Sequence, residues 1–241
     1  MKKLKIGIIG VGRLGYEHAC NIANRVPGSE LVAIADANFD RAKQVAEELG
    51  VTAVYNDPKA LCADPNVEAV AIITNTASHV EMIKIAMDAG KHVFCEKPLA
   101  DTVEKCKEAE AIIAAHPELT FMLGFMRRYD HSYQVAKKKM ENGDIGDVIL
   151  VRCYSQDPIS IIEGTLEYAP RSGGQFIDMS IHDFDLIRWL TGSEVKELWA
   201  TGGCYEFKQY KDWDDGDNVS GLMKMENDAM AFFFAGRAAA H

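Results

Sequence analysis

Short apolar runs rich in valine and isoleucine alternate with amphipathic, helix-length segments from residue 4 to about residue 125. This alternation is typical of βαβ units, in which a helix connects two parallel strands. The predicted strands are Lys5–Ile9, Leu31–Asp36, Ala69–Ile73, Val93–Glu96 and Phe121–Phe125. The pattern therefore predicts an α/β fold that begins with a doubly wound parallel sheet.

The pattern changes after about residue 125. A helix is predicted over Tyr133–Glu141, a long strand over 147–156, a polar loop with Pro158, Pro170 and Gly173-Gly174, an apolar helix over Phe176–Leu190, and strands over Val195–Tyr205, Val219–Met225 and Ala229–Gly236. Strands that follow helices and return through hairpins are typical of an α+β domain with a largely antiparallel open sheet. We therefore predict two domains, a Rossmann domain over 1–123 and a second domain over 124–241.

Composition narrows the class of protein. The formal net charge of −10 argues against a nucleic-acid partner or an anionic membrane surface. No segment approaches the roughly 20 continuous apolar residues of a membrane span, and no signal peptide is recognisable. The six cysteines lie far apart without a C-x-x-C pair, which favours reduced thiols over disulfides or a zinc site. We expect a cytoplasmic protein without a metal.

A glycine motif, G-x-G-x-x-G, directly follows the first predicted strand. Gly10 permits the tight turn, Gly12 lets the backbone approach a pyrophosphate, and Gly15 lets helix and strand pack closely. Asp36 ends the second strand 21 residues after Gly15, near the usual spacing of the carboxylate that binds the adenosine ribose. The pattern predicts NAD over NADP, since an ionised Asp36 repels a 2′-phosphate; the alternative is a glycine-rich turn with a solvated aspartate.

Two further strand ends carry polar side chains to the same edge of the predicted sheet. Asn75 and His79 follow the third predicted strand, where they line a cofactor or merely accompany helix capping. Glu96 and Lys97 end the fourth, and Pro98 restricts Lys97 to extended geometry. An ammonium there can stabilise a developing alkoxide, whereas the alternative is a surface salt bridge with Glu96.

Asp178 and His182 are four residues apart in an otherwise apolar helix. At this spacing they share one helix face, and a carboxylate can orient an imidazole and raise its basicity, as a general base requires. A satisfied core histidine and a metal-binding pair are the alternatives, but no third ligand has convincing spacing. Asp183 and Asp185 are interpreted as packing-interface or surface charges.

These motifs together resemble one family. The segments "GVGRLG", "EKPLA", "GFMRRYD" and "SGGQFIDMSIHDFDLIRWLTGSEV" are similar to those of the Gfo/Idh/MocA oxidoreductases and, within that family, of the inositol 2-dehydrogenases. The resemblance implies NAD-dependent oxidation of myo-inositol to 2-keto-myo-inositol (scyllo-inosose), with scyllo-inositol or glucose as alternative substrates. It also implies a cis Lys97–Pro98 bond, and a homo-oligomer, usually a tetramer, assembled through the second-domain sheet.

The resemblance further implies three overlapping sets of site residues. The catalytic set is Lys97, Asp178 and His182. The cofactor-binding set is Gly10, Gly12, Arg13, Leu14, Gly15, Asp36, Asn75, His79, Glu96 and Lys97. The substrate-binding set is Lys97, Arg127, Tyr129, Asp157, Asp178 and His182.

Members of this family continue beyond the "GRAAAH" region, so the resemblance implies a chain that is truncated at its C-terminus. A non-catalytic NAD-binding module is therefore the alternative to an active polyol dehydrogenase.

Overall fold

The computed structural model describes residues 2–239; Met1, Ala240 and His241, which fall within the predicted domain ranges, lie outside the described residues. The chain divides into two compact units between Gly124 and Phe125, one residue beyond the predicted boundary.

The N-terminal unit is a six-stranded parallel sheet flanked by helices. Its strands are β1 (Leu4–Ile9), β2 (Ser29–Ala35), β3 (Ala53–Tyr55), β4 (Ala69–Ile72), β5 (His92–Cys95) and β6 (Phe121–Leu123), in the order β3-β2-β1-β4-β5-β6. Its helices are α1 (Arg13–Asn24), α2 (Phe39–Leu49), α3 (Pro58–Ala63), α4 (His79–Asp88) and α5 (Val103–Ala114). The prediction of a doubly wound parallel sheet is confirmed.

Two apolar clusters cover the two faces of this sheet. Ile8 and Ile9 are neighbours on β1 but belong to different clusters, because successive strand residues point to opposite faces. The sequence prediction omitted β3 and α3. At three and six residues, these elements are too short to show a strand or helix period.

The C-terminal unit has a four-stranded mixed sheet. Its strands are β7 (Leu150–Pro158), β8 (Val195–Gly203), β9 (Asn218–Met225) and β10 (Met230–Ala239), in the order β7-β10-β9-β8. β9 pairs antiparallel with both neighbours, whereas β10 and β7 are parallel. The helices are α6 (His131–Glu141), α7 (Ile162–Tyr168) and α8 (Ile181–Thr191). α7 lies in the segment predicted as a polar loop, so that prediction was wrong.

The predicted helix Phe176–Leu190 is not uniform. Its first five residues, Phe176–Ser180, form a π turn, and α8 follows directly. Leu186 and Ile187 of α8 pack with Met223 and Phe233 on one face of the sheet.

The opposite face of this sheet exposes apolar side chains. Across the four strands, Arg152, Phe232, Leu222 and Trp199 form one row of paired residues. Leu222 and Trp199 are 55% and 62% exposed, and Leu150, Tyr154 and Met230 lie exposed nearby.

Candidate active site

The three glycines of the N-terminal loop differ in what surrounds them. A Cβ on Gly10, whose φ is +90°, would lie 2.6 Å from the carbonyl oxygen of Ile73, and one on Gly15 would lie 2.0 Å from that of Gly10. A Cβ on Gly12 would meet nothing within 4 Å. Gly10 and Gly15 are thus required by packing within the protein, whereas Gly12 leaves open space at the start of α1.

The first turn of α1 is suited to an anion. Gly12 is its N-cap and provides no side-chain capping bond, and Arg13 and Leu14 are exposed at its start. N–H groups at a helix N-terminus and the helix dipole favour phosphate. The open space at Gly12 therefore fits the pyrophosphate of a dinucleotide.

Asp36 is held in a fixed orientation beside this loop. Its Oδ2 accepts a hydrogen bond from the backbone N–H of Val11, and its Oδ1 accepts one from that of Asn38, each at 2.8 Å. A half-buried carboxylate in this place, next to the glycine loop, fits the ribose of a NAD molecule.

Asn75 and His79 both follow β4, but they differ in their exposure to solvent. Asn75 is exposed, before a 3₁₀ turn, whereas His79 is only 1% exposed. Its Nδ1 lies 2.8 Å from the carbonyl oxygen of Pro98, and its Nε2 lies 3.3 Å from that of Thr74. Carbonyl oxygens only accept, so a hydrogen on Nδ1 makes the shorter of these two bonds. His79, predicted to line the cofactor, instead supports the backbone at Pro98.

The pKa of His79 agrees with this buried position. Burial lowers its pKa, and the bonds to the two carbonyl oxygens oppose that change without cancelling it. His79 therefore favours the neutral form in the folded protein.

The segment after β5 carries the remaining predicted residues of this unit. Glu96 accepts a hydrogen bond from the backbone N–H of Lys97 and bonds to Nε2 of His18 at 2.8 Å. Burial disfavours the charged form of Glu96, but the bonds to His18 and Lys97 outweigh burial and lower its pKa. The Lys97–Pro98 bond is cis, which confirms that prediction.

Sequence reasoning missed His18. It lies three residues after Gly15 on α1, and its ring also contacts that of Phe94, with centroids 5.5 Å apart. The sequence contained one signal for His18, namely an imidazole one helical turn beyond the glycine motif.

In the C-terminal unit, Asp178 lies in the π turn and His182 is the second residue of α8. The chain enters the π turn through Gly173 and Gly174, whose φ angles are +81° and +89°. Asp215 fixes this entry by accepting the backbone N–H of Gln175 at 3.0 Å. The turn that carries Asp178, the first residue of the predicted acid–base pair, is thus held in place at its start.

Arg237 on β10 binds two predicted site residues. It donates from Nη2 to Oδ2 of Asp178 at 2.5 Å and from Nη1 to Oδ2 of Asp157 at 2.6 Å. Arg237 is only 5% exposed. Burial opposes its charge, but the neighbouring Asp178 and Asp157 outweigh burial and raise its pKa. Sequence reasoning assigned Asp157 to a hydroxyl contact and overlooked Arg237.

The "MRRY" segment, Met126–Tyr129, forms a 3₁₀ turn. It contains two predicted substrate residues, Arg127 and Tyr129, and of these two only Tyr129 has a largely exposed side chain. Arg127, predicted to face the polyol, donates to Asp183 and to Oγ of Ser155. Arg128 donates two bonds to Asp185, at 2.8 and 2.7 Å.

Asp183 and Asp185 are 0% and 5% exposed, so the two carboxylates that follow His182 are packing charges rather than surface ones. Each is neutralised by an arginine of the 3₁₀ turn. These two ion pairs connect α8 to the start of the C-terminal unit.

Within residues 2–239, no cluster of three or more His, Cys, Asp and Glu side chains is arranged to hold a metal ion. None of the helices in that range is long and apolar enough to cross a membrane.

The parallel sheet, the glycine loop and the fixed Asp36 define the N-terminal unit as a dinucleotide-binding domain of an oxidoreductase. Residues 4–125 match the model of an oxidoreductase family with an NAD-binding Rossmann fold, and residues 133–241 match the GFO/IDH/MocA C-terminal domain. The chain belongs to the Gfo/Idh/MocA oxidoreductase family. The predicted family and its NAD cofactor are thereby confirmed.

Three relatives have informative names. The chain is 37% identical over 234 residues to myo-inositol 2-dehydrogenase of Thermotoga maritima, covering 94% of this chain and 66% of that protein. It is 38% identical over 217 residues to scyllo-inositol 2-dehydrogenase (NAD(+)) of Bacillus subtilis, covering 88% and 62%. The structure of scyllo-inositol dehydrogenase from Lactobacillus casei with bound NAD(H) and scyllo-inositol is 40% identical, with a TM-score of 0.94, covering 100% and 71%.

The chain thus spans just under two thirds of the length of the two curated relatives.

Proposed function

We propose that this chain carries the catalytic residues of an NAD-dependent inositol 2-dehydrogenase, which oxidises myo-inositol to 2-keto-myo-inositol (scyllo-inosose). One observation carries the proposal: the buried Arg237 guanidinium binds the carboxylate of Asp178, which lies four residues before His182. The relatives named for myo- and scyllo-inositol support the substrate class.

In this proposal His182 is the general base. Its imidazole removes the proton of the hydroxyl group that is oxidised, and the carboxylate of Asp178, four residues earlier, orients the ring. A carboxylate in that place also stabilises the imidazolium that forms. Lys97 holds the reacting hydroxyl and stabilises the developing negative charge on its oxygen.

The N-terminal unit supplies the cofactor site. NAD, when bound, accepts the hydride that leaves the same carbon as the hydroxyl. Gly12 and the first turn of α1 bind the pyrophosphate, and Asp36 binds the adenosine ribose hydroxyls. Glu96, fixed by His18, borders the segment that carries Lys97.

A second substrate, scyllo-inositol, is favoured by the Lactobacillus casei structure at 40% identity, which contains that polyol. The two isomers differ only in the orientation of one hydroxyl, so the same base and cofactor serve either of them. Glucose is the third candidate.

NADH formation measured with myo-inositol, scyllo-inositol and glucose tests the proposal. We expect the highest kcat/KM for myo-inositol and a loss of turnover in His182→Ala, with full turnover in His131→Ala, a control at an exposed histidine on α6. A higher kcat/KM for scyllo-inositol or glucose would identify that compound, rather than myo-inositol, as the preferred substrate. NADH binding without turnover of any polyol indicates a non-catalytic NAD-binding module.

We also propose that the exposed face of the mixed sheet binds a second copy of this chain. In the row formed by Phe232, Leu222 and Trp199, the last two side chains are largely exposed, and adjoining exposed apolar side chains often mark a protein interface. Burying it against an identical face removes the apolar side chains of both copies from water.

A further inference from the structure

Arg237 occupies an unusual position for an arginine. Its side chain is 6% exposed, and it lies between two carboxylates, Asp157 and Asp178, which are 28% and 14% exposed. Arginine stays protonated in proteins, so its charge is retained after burial. Without its two partners, the desolvated guanidinium would strongly destabilise the fold.

The strand geometry explains why Arg237 reaches both carboxylates. Gly236 pairs with Gln156 and Ala239 pairs with Pro158, so three steps along β10 are matched by two along β7. This extra residue is a β-bulge, a feature that redirects a side chain and is frequent next to active sites. The bulge includes Arg237 and faces Asp157.

The π turn completes the arrangement from the other side. Asp178 reaches Arg237 from the turn Phe176–Ser180, and single π turns inside helices are frequent at functional sites. The guanidinium donates a hydrogen bond to Oδ2 of Asp178. The second oxygen of this carboxylate, Oδ1, has acceptor sites of its own. Arg237 thereby fixes the direction in which Oδ1 points.

We propose that Arg237 is a positioning residue for the Asp178–His182 pair, setting both the orientation of the Asp178 carboxylate and the basicity of the His182 imidazole. The inference rests on the proposed function, because it assigns Asp178 and His182 their acid–base roles. Arg237 contacts neither polyol nor cofactor in this role; it acts through Asp178.

The charges around His182 determine the sign of the effect. Arg237 offsets part of the negative charge of Asp178 and Asp157 through its two ion pairs. Tyr210 also interacts electrostatically with Arg237, and the backbone N–H of Arg237 donates to the carbonyl oxygen of Asp217. Asp183, the residue after His182, is paired with Arg127. These groups remain in every variant below. Removing the arginine charge therefore raises the pKa of His182, and removing the Asp157 charge lowers it.

The test is an NMR titration of His182 in the full chain, with the signal assigned from its disappearance in His182→Gln. We expect the pKa of His182 to rise by about one unit in Arg237→Gln and to fall in Asp157→Asn. In Arg237→Lys, which keeps the charge, it should stay within about 0.3 units of the unsubstituted chain, well below the shift that a charge change causes.

The pH profile of NADH formation provides the second readout. In Arg237→Gln the acidic limb of kcat/KM should move to higher pH together with the His182 titration, and kcat should fall about 100-fold, since a misoriented catalytic group costs that much. Arg237→Lys should recover the position of the limb but only part of kcat, because lysine lacks the planar fork that binds two carboxylates.

A loss of kcat in Arg237→Gln without any shift of the His182 titration would show a merely structural arginine and overturn the inference. If Arg237→Gln fails to fold, Arg237→Lys and Asp157→Asn still decide, because an unchanged His182 pKa in Asp157→Asn also contradicts it. If the pKa of His182 shifts with the expected signs in a chain that shows no turnover, the inference is supported and only the proposed function has failed.

Discussion

The Asp36 carboxylate accepts a hydrogen bond from the backbone N–H of Val11 at 2.8 Å, which connects the end of β2 to the middle of the glycine loop. The contact joins the glycine motif to the carboxylate that follows Gly15 by 21 residues, and it fixes this carboxylate at the proposed ribose site.

Asp36→Asn should weaken NAD binding about tenfold and reduce the preference for NAD over NADP. Asparagine keeps a side-chain oxygen for Val11 but removes the charge-assisted bonds to the ribose and the repulsion of a 2′-phosphate. Fluorescence titration with NADH and NADPH measures both effects. Asp40→Asn, at an exposed aspartate on α2, is the charge-matched control, and an equal change in that variant would contradict the assignment.

Gly12→Ala and Gly15→Ala should separate cofactor binding from folding. A Cβ on Gly12 meets open space, so the free energy of unfolding should change little while NADH affinity falls at least about tenfold through steric conflict with the bound phosphates. A Cβ on Gly15 collides with the Gly10 carbonyl, so Gly15→Ala should lose about 3 kcal/mol of stability. Urea unfolding and NADH titration check the two variants, and a Gly12→Ala protein with normal affinity would rule out the proposed phosphate position.

The buried His79 should make stability depend on pH. Its pKa is lowered in the folded state, so its contribution is present above the unfolded value of about 6.5 and is lost as the pH falls below it, while the unfolded chain takes up the proton. His79→Asn keeps a donor for the Pro98 carbonyl without this titration. The stability gap between the two proteins should therefore shrink from pH 7.5 to pH 5.5 in denaturant unfolding. The exposed-site variant His131→Asn should show no such trend, and a constant gap for His79→Asn would contradict the prediction.

Asp183→Asn should destabilise the C-terminal unit by about 3 kcal/mol, since it leaves the largely buried Arg127 guanidinium without its charged partner. Glu194→Gln removes a carboxylate from an exposed pair with Arg188 and should change the stability far less, because water and salt screen exposed ion pairs. Thermal and urea unfolding compare them directly. Equal losses in the two variants would show that the burial of Asp183 is unimportant.

Leu222→Glu should dissociate the proposed oligomer, because it places a charge at the centre of the apolar row on the exposed sheet face. Light scattering after size-exclusion chromatography measures the mass at micromolar concentration. Ile145→Glu, at a residue that is 60% exposed in a loop, should leave the mass unchanged. A monomeric unsubstituted chain, or a Leu222→Glu variant of unchanged mass, would exclude this face as the interface.

Local patterns predicted most of the first unit. The strands around Ile8 and Ile34, the roles of the glycines and the position of Asp36 follow from periodicity and short spacings, because adjacent elements of a βαβ unit are close in both sequence and space. The short β3 and α3 were missed because a few residues carry no period.

The sequence by itself determined the class of fold, the dinucleotide loop and the presence of a carboxylate and an imidazole four residues apart. Only the tertiary structure decided what surrounds them: the bulge that brings Arg237 to Asp157 and Asp178, the burial of Asp183 against Arg127, and the engagement of His79 with backbone carbonyls. Arg237 is 59 residues from Asp178 and 80 from Asp157. Contacts over such separations depend on strand order, register and local helical geometry, which the hydrophobic pattern of a single segment does not encode.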